Sequence, residues 1–386
     1  MAEQVIDYVL NLKRPLFLFV DATGSIIKNN FDIIDKRIFV YAAVVAGSTD
    51  YSPLDVTSFI SSKHGVKDVS IFAEYLADTM RRLSTKKVVV DKIETDFSLV
   101  LMQSFCRAFN GCKLSIYLNQ TFKEIHGKNT KTCLVILHVC SSHLIKTIKK
   151  QINSHIADED AKKLALNAIN QLIHSTSLED AAEIVERLYV LFGCEYRHAN
   201  FAIYCNYLKD ETNETEEINA CDAETRCKIS EKDVHDDTKK ESPFYEYFQT
   251  IKNDCDRKGG FSENQNIFYT PKFMNYAFDF LLPYYSTWSG AMLKQFNMLR
   301  DSNAPVENYW KIEKQYILNN RKNIQLERYI KIKEEITMQR LRERKFSLQT
   351  TRVLKKRKEA NNENHKELFP EETWEKKRNL DVLIAI

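Results

Sequence analysis

Along the first 140 residues, apolar positions fall in short compact runs separated by amphipathic stretches, the pattern of strands alternating with helices. Pro15 to Val20 is an apolar run closing on Asp21-Ala22-Thr23-Gly24, which predicts a buried strand ending on an acidic residue and a turn. Ser25-Ile26-Ile27 predicts a short return strand. Lys36 to Val45, rich in β-branched and aromatic residues, predicts a third strand of an antiparallel meander. Asp68 to Leu83 has helical spacing, with Val69, Phe72, Leu76 and Met80 on one face. Lys87 to Asp91 predicts a fourth strand, and Thr95-Asp96-Phe97-Ser98 opens a helix over 97–109 because Thr or Asp can cap the free amides. A helix over 114–125 follows, then a fifth strand from Cys133 to Val139 that runs into Cys140-Ser141-Ser142-His143.

Three strands, helix, strand, helix, strand is the order of a ribonuclease-H-like core. The expected fold class is therefore α/β (α+β), a five-stranded mixed sheet with flanking helices. From Leu144 to about Phe192 the pattern is helical, with Leu164, Ile169, Leu172 and Ile173 and then Ala181, Ile184, Leu188 and Leu191 in register, and no further strand is predicted. Between Asp210 and Glu241 the chain carries 12 acidic against 5 basic residues and almost no large apolar ones, the composition of a solvated loop. Order resumes near Phe244 and continues into an aromatic segment from Phe268 to Trp288, within which Phe278 to Trp288 suits packing between helices more than stacking on bases. Pro305, with Asn303 as cap, predicts a helix start that projects Glu307 from its first turn. The domain reading is a first part of the core over 1–143, a mostly helical insertion over 144–286 with its acidic loop at 210–242, a last core helix over 287–320, and a basic helical extension over 321–386.

Composition narrows this further. With 44% hydrophobic residues, 22 Phe, 18 Tyr and only 9 Gly and 7 Pro, most of the chain is expected to fold. The longest apolar runs fall far short of the roughly 18 residues that cross a bilayer, so no membrane partner is expected. Met1 to Leu12 lacks the features of a secretory signal, and nine scattered cysteines with no Cys-x-x-Cys pair fit free thiols in an intracellular protein. Net charge is only +3, but Arg321 to Lys358 holds 14 Lys or Arg against 4 Glu. Arg340, Arg342, Arg344 and Lys345 on this helix suit phosphate contacts, as do Lys355, Lys356, Arg357 and Lys358, a cluster that also reads as a nuclear localisation signal; a solvated charged helix is the plainer meaning.

Three acidic residues stand where phosphoryl-transfer chemistry would use them: Asp21 at a strand end, Asp96 after the fourth strand, and Glu307 on the late helix. Carboxylates suit two hard Mg²⁺ (or Mn²⁺) ions that clamp the attacking and leaving oxygens of an in-line displacement. Asp91, which directly follows Val88-Val89-Val90, competes with Asp96 for the second position. Cys140-x-x-His143 is either half of a metal site, with Cys194, His198 and Cys205 as conceivable partners, or a buried thiol beside a hydrogen-bonded histidine.

Taken in order, Leu18-Phe19-Val20-Asp21-Ala22-Thr23-Gly24, Thr95-Asp96-Phe97-Ser98, Cys140-Ser141-Ser142-His143 and Ser302-Asn303-Ala304-Pro305-Val306-Glu307-Asn308-Tyr309-Trp310 resemble eukaryotic cut-and-paste DDE transposases, the Mutator-like group above all. The resemblance runs over about residues 15 to 345. It implies that Asp21, Asp96 and Glu307 hold two divalent metals, and it selects Asp96 over Asp91. It places His143 at phosphate or a displaced base of the DNA, with Cys140 holding the turn and not ligating zinc. It further implies a nuclear protein, frequently a dimer, that nicks DNA with a metal-activated water and then transfers the freed 3′-hydroxyl. Such transposases normally carry a DNA-binding region ahead of the core, whereas the first strand here begins about fifteen residues from Met1, as in a truncated or domesticated copy. The alternatives are a catalytically inactive nuclear DNA-binding protein and a scaffold for host protein partners.

Overall fold

The computed structural model describes residues 2–12, 15–24, 26–28, 37–47, 52–84, 90–127, 134–209, 237–258, 261–299 and 301–346. It divides into two compact units, Met1–Tyr329 and Ile330–Ile386. The first is built on a five-stranded sheet in the order β3-β2-β1-β4-β5. Strands β1 (Phe17–Thr23), β2 (Phe39–Val45) and β3 (Leu54–Ser61) form an antiparallel meander, while β4 (Lys92–Thr95) and β5 (Ile136–Val139) join β1 in parallel. A parallel pairing needs a crossover, and the helices between the strands supply it.

One sheet face is covered by α1 (Ala2–Leu10), α2 (Val66–Leu83) and α3 (Leu99–Phe105), the last continuing as a π-helical turn over Cys106–Asn110. Tyr41, Phe59, Phe72 and Phe105 make a chain of ring contacts within that layer. The other face is partly covered by α11 (Ala304–Ile312), whose Val306, Tyr309 and Trp310 are buried against β1 and β2. Burying one such side chain contributes about 1.5–3 kcal/mol, enough to fix where this short helix lies. Register does the rest. Asp21 pairs with Ala42 across the β1–β2 ladder, so its neighbour on that face is a methyl group, which leaves room for α11 to approach.

Between α4 (Leu114–Ile125) with β5 and the late helix lies the insertion: α5 (Ser141–His155), α6 (Glu159–His174), α7 (Leu178–Phe192), α8 (Phe201–Lys209), α9 (Pro243–Lys258) and α10 (Pro271–Tyr276). Its core is aromatic. Phe244, Phe248, Tyr285 and Trp288 are buried together, the Tyr285 hydroxyl lies 2.8 Å from Ser175 Oγ, and Trp288 Nε1 donates to the Leu281 carbonyl at 3.0 Å. From Leu281 to Trp288 the aromatic stretch is thus packing material between helices. Helix α12 spans 326–346.

Several expectations need correction. Ile26 and Ile27 are not a strand of the meander; Ile27 makes only an isolated parallel bridge to Ile324, and the third strand is Leu54–Ser61. Of the expected fourth strand, residues 87–89 lie outside the described residues, Val90 and Asp91 are not in a strand, and β4 is Lys92–Thr95. The insertion is not free of strands, since β6 (Tyr196–His198) and β7 (Phe261–Gln265) pair antiparallel. Asn303 does not cap α11 with its side chain. Most of the acidic loop, and Lys355 to Lys358, lie outside the described residues.

Candidate active site

The chain brings Asp21, Asp96, His143 and Glu307 to one place, each delivered by a different element. Asp21 stands near the end of β1, where its Oδ1 accepts from the Ala22 amide at 2.6 Å. Asp96 follows the last residue of β4, and Val20 pairs with Thr95 in the ladder, so the two aspartates leave neighbouring parallel strands at the same sheet edge. Local chemistry frees Asp96 for this position. Ser98 caps α3 by accepting from the Leu101 amide at 3.4 Å, so the Asp96 carboxylate is not consumed as a cap. Asp91 is engaged elsewhere: its Oδ2 accepts from the Leu16 amide at 2.6 Å, at the opposite end of β4.

His143 lies in the first turn of α5 and bridges the acids. Its Nδ1 is 2.7 Å from Asp96 Oδ1 and its Nε2 is 3.5 Å from Glu307 Oε1. Burial works against the imidazolium, but the close polar contacts with Asp96 and Cys140 and the Asp96 charge outweigh it, and the pKa is pushed up to about 11. Asp21 is held well above the ordinary carboxyl value by burial first and by the Asp96 charge second, against the pull of the Ala22 amide and His143. Asp96, Cys140 and His143 offer ligand atoms that all lie within 4.8 Å of one another.

The third acid is seated by residues 301–303. The Asp301 carbonyl accepts from the Ser141 amide at 3.1 Å, and the Asn303 amide donates to Cys140 Sγ at 3.2 Å. Asn303 is fully buried, and its Nδ2 donates both to the Val20 carbonyl at 3.3 Å and to Asp96 Oδ1 at 3.4 Å. Its carbonyl then accepts the Val306 and Glu307 amides, both at 3.0 Å, opening α11. One short segment therefore ties β1, Asp96 and the Cys140 turn to the helix that carries Glu307.

Beneath the acids lies a fully buried polar cluster. Lys92 Nζ is 3.0 Å from Glu94 Oε2, His138 Nδ1 is 3.1 Å from the same oxygen, and Lys92 also pairs with Asp301. The ammonium sits over the Phe17 and Phe19 rings, 4.7 and 5.4 Å from their centroids. Burial pushes Lys92 below its ordinary value while Glu94 pulls it up; Glu94 ends below its own ordinary value because His138 and Lys92 outweigh its burial. Sequence reading passed over this cluster. Its trace was the alternation Lys92-Ile93-Glu94-Thr95 beside Leu137-His138-Val139, polar side chains at a two-residue period on strands otherwise apolar.

The donor set suits a divalent cation. The charges of Asp96 and Glu307 add to the burial that raises the Asp21 pKa, a positive charge placed beside Asp21 would offset this, and oxygen donors fit Mg²⁺ or Mn²⁺. Asp96, Cys140 and His143 are the donors close enough together to share one ion, with Asp21 and Glu307 beside them. Of the basic residues on α12, Arg342 and Lys345 are exposed, Arg340 is half-buried and Arg344 is buried. No helix among the described residues is long and apolar enough to cross a membrane.

No family model matches the chain. Over 152 residues it is 26% identical to the 120.7 kDa protein in the NOF-FB transposable element of Drosophila melanogaster, a match that takes in 38% of this chain and 13% of that protein. The chain is thus related in sequence to a transposable-element protein of which the match spans a small part. Among solved structures, the Drosophila P element transposase strand transfer complex is similar over 81% of this chain and 75% of that one, at 14% identity and a TM-score of 0.29, too loose a likeness to carry residue correspondences.

Proposed function

We propose that this chain is a transposase-derived catalytic domain of ribonuclease-H-like architecture, from the Mutator-like group or a close relative, that cleaves DNA strands and transfers them. The observation that carries the reading is the meeting of Asp21, Asp96 and Glu307 around His143, from two adjacent strand ends and a distant helix. The transposable-element relative supports it independently.

On this reading, Asp21, Asp96 and Glu307 hold two Mg²⁺ or Mn²⁺ ions, which when bound supply Lewis-acid stabilisation to both oxygens of an in-line displacement. The chain's own residues set the geometry. The β1–β4 ladder fixes the two aspartates relative to one another, and Asn303 fixes α11 against both. His143, charged and pinned between Asp96 and Glu307, neutralises the acids of the metal-free site and presents a donor to the phosphate that enters it. Cys140 holds the turn on which His143 stands, by accepting from the Asn303 amide. No side chain here is needed as a covalent nucleophile.

The test is diffraction from crystals soaked in Mn²⁺, together with nicking assays on DNA in Mg²⁺. Two anomalous peaks roughly 3.5–4 Å apart between the three carboxylates, and nicking that Asp21→Asn abolishes, are expected. No bound metal and no nicking, with salt-sensitive DNA binding that survives removal of the carboxylates, would replace this reading with that of a non-catalytic nuclear DNA-binding protein.

A further inference from the structure

The chain beyond Glu307 is built with unusual care for a surface segment. Helix α11 passes into a π-helical turn over Glu313–Ile317. The chain then reverses through Asn319, Asn320 and Asn323, all with left-handed backbones (φ 49°, 58° and 58°), a conformation that asparagine tolerates better than most residues. Residue 324 then lies alongside the exit of β1: the Ile324 amide donates to the Ile26 carbonyl and the Lys28 amide to the Ile324 carbonyl, each at 2.8 Å. The Tyr329 hydroxyl donates to the buried carboxylate of Glu313 and closes the loop on itself.

This construction gathers cations beside the carboxylates. Lys314 follows Glu307 by seven residues, so on a helix it stands on the same face, about 10 Å further along the axis. Lys28, one residue beyond Ile27, the bridge partner of Ile324, and Arg321 and Lys322, on the returning chain, are exposed, as is Lys314. None of the four forms an ion pair among the described residues, although the surface elsewhere is laced with them. Partial burial leaves the Lys314 pKa below its ordinary value, although the nearby Asp21 charge pulls it up, and Lys322 adds a like charge. An anion is the ligand that such a group of unpaired cations lacks.

We infer that Lys314 contacts a backbone phosphate of the DNA strand held at Asp21, Asp96 and Glu307, and that Lys28, Arg321 and Lys322 continue this contact along the strand leaving the site. The inference rests on the proposed function and deepens it by assigning the phosphate-binding side chains. The left-handed asparagine turn is then the device that brings Arg321 and Lys322 back to β1, where a helix continuing straight on would carry them away.

The experiment measures fluorescence anisotropy of a labelled generic duplex DNA with the full chain, in Ca²⁺, across a series of salt concentrations, alongside calorimetric titration with Mn²⁺. Lys314→Ala is expected to weaken DNA binding about five- to tenfold and to lower the slope of log Kd against log salt by about one, with Lys314→Arg restoring both. Lys163→Ala, on a remote exposed lysine of α6, is the control and should match the parent chain. Loss of a cation next to Asp21 should tighten Mn²⁺ binding, whereas a merely damaged fold would weaken both ligands. A Lys314→Ala chain with the parent's DNA affinity and salt slope overturns the inference and leaves the proposed function standing. A parent chain that binds neither DNA at low salt nor Mn²⁺ overturns the proposed function, and the inference with it.

Discussion

His143 Nδ1 stands 2.7 Å from Asp96 Oδ1, and the two residues reach that distance from different elements, one at the end of β4 and one in the first turn of α5. The pair makes the metal-free site a salt-bridged one. The His143 pKa is raised, so its stabilisation is fully present below the ordinary histidine value of 6.5 and declines as pH rises from there, vanishing as it passes about 11. Chelator-treated protein should therefore lose melting temperature over that window, and His143→Gln should flatten the loss. A parallel decline in both chains would dissociate the effect from His143.

Asp21 has the opposite standing in the absence of metal. Its raised pKa means that its ionised form opposes folding, a cost that is absent below the ordinary aspartate range and complete only above the raised value. Asp21→Asn should hold or raise the melting temperature of the apo protein by about 1–4 °C. Mn²⁺ should stabilise the parent chain by mass action and leave Asp21→Asn unmoved. A large loss of melting temperature in Asp21→Asn would show that the carboxylate serves the fold.

Lys92 is a buried cation whose removal strands two acids. Lys92→Met should destabilise by about 3–5 kcal/mol in urea unfolding, because Asp301 loses its counter-charge and Glu94 keeps only His138. Adding Glu94→Gln should recover part of that loss, a coupling that a double-mutant cycle reads directly. Additive losses would mean that the pair does not act as a unit.

Asn303 is placed to matter for both stability and activity. Asn303→Ala removes two donor bonds from a buried position and should cost about 1–3 kcal/mol. Strand cleavage should fall further than that loss alone explains, since the link from Asp96 to the start of the helix carrying Glu307 is then gone. Cleavage that tracks the folded fraction would reduce Asn303 to a packing residue.

The contrast between what sequence carried and what it missed has a physical pattern. Helices α2 and α4 were legible because an amphipathic stripe is a local property, and their observed limits, Val66–Leu83 and Leu114–Ile125, fall within two residues of those expected. Strand β3 escaped because Leu54-Asp55-Val56-Thr57-Ser58 mixes polar residues into a position that is nonetheless paired and largely buried. Strand β4 was drawn towards Val88-Val89-Val90 because apolarity is the usual mark of a buried strand, whereas the real one buries Lys92 and Glu94 as a pair. The order of their motifs pointed to Asp21, Asp96, His143 and Glu307, which the fold brings near one another. Asn303 and Lys314 were not, since their positions depend on contacts between residues far apart in the chain.

The hydrogen bond from the Ser141 amide to the Asp301 carbonyl closes a long excursion, because the helical insertion departs and returns at the same spot. The near end of that excursion belongs to the site, since His143 stands on the first turn of α5, and buried contacts such as Thr121 Oγ1 to Ser286 Oγ at 2.8 Å tie its later part to the core. The free energy of closing a loop grows only slowly with its length, so its outer helices can lengthen or shorten while the stem stays shut. Asp21, Asp96 and Glu307 lie outside the excursion, and variation far from the stem leaves the three acids where they are.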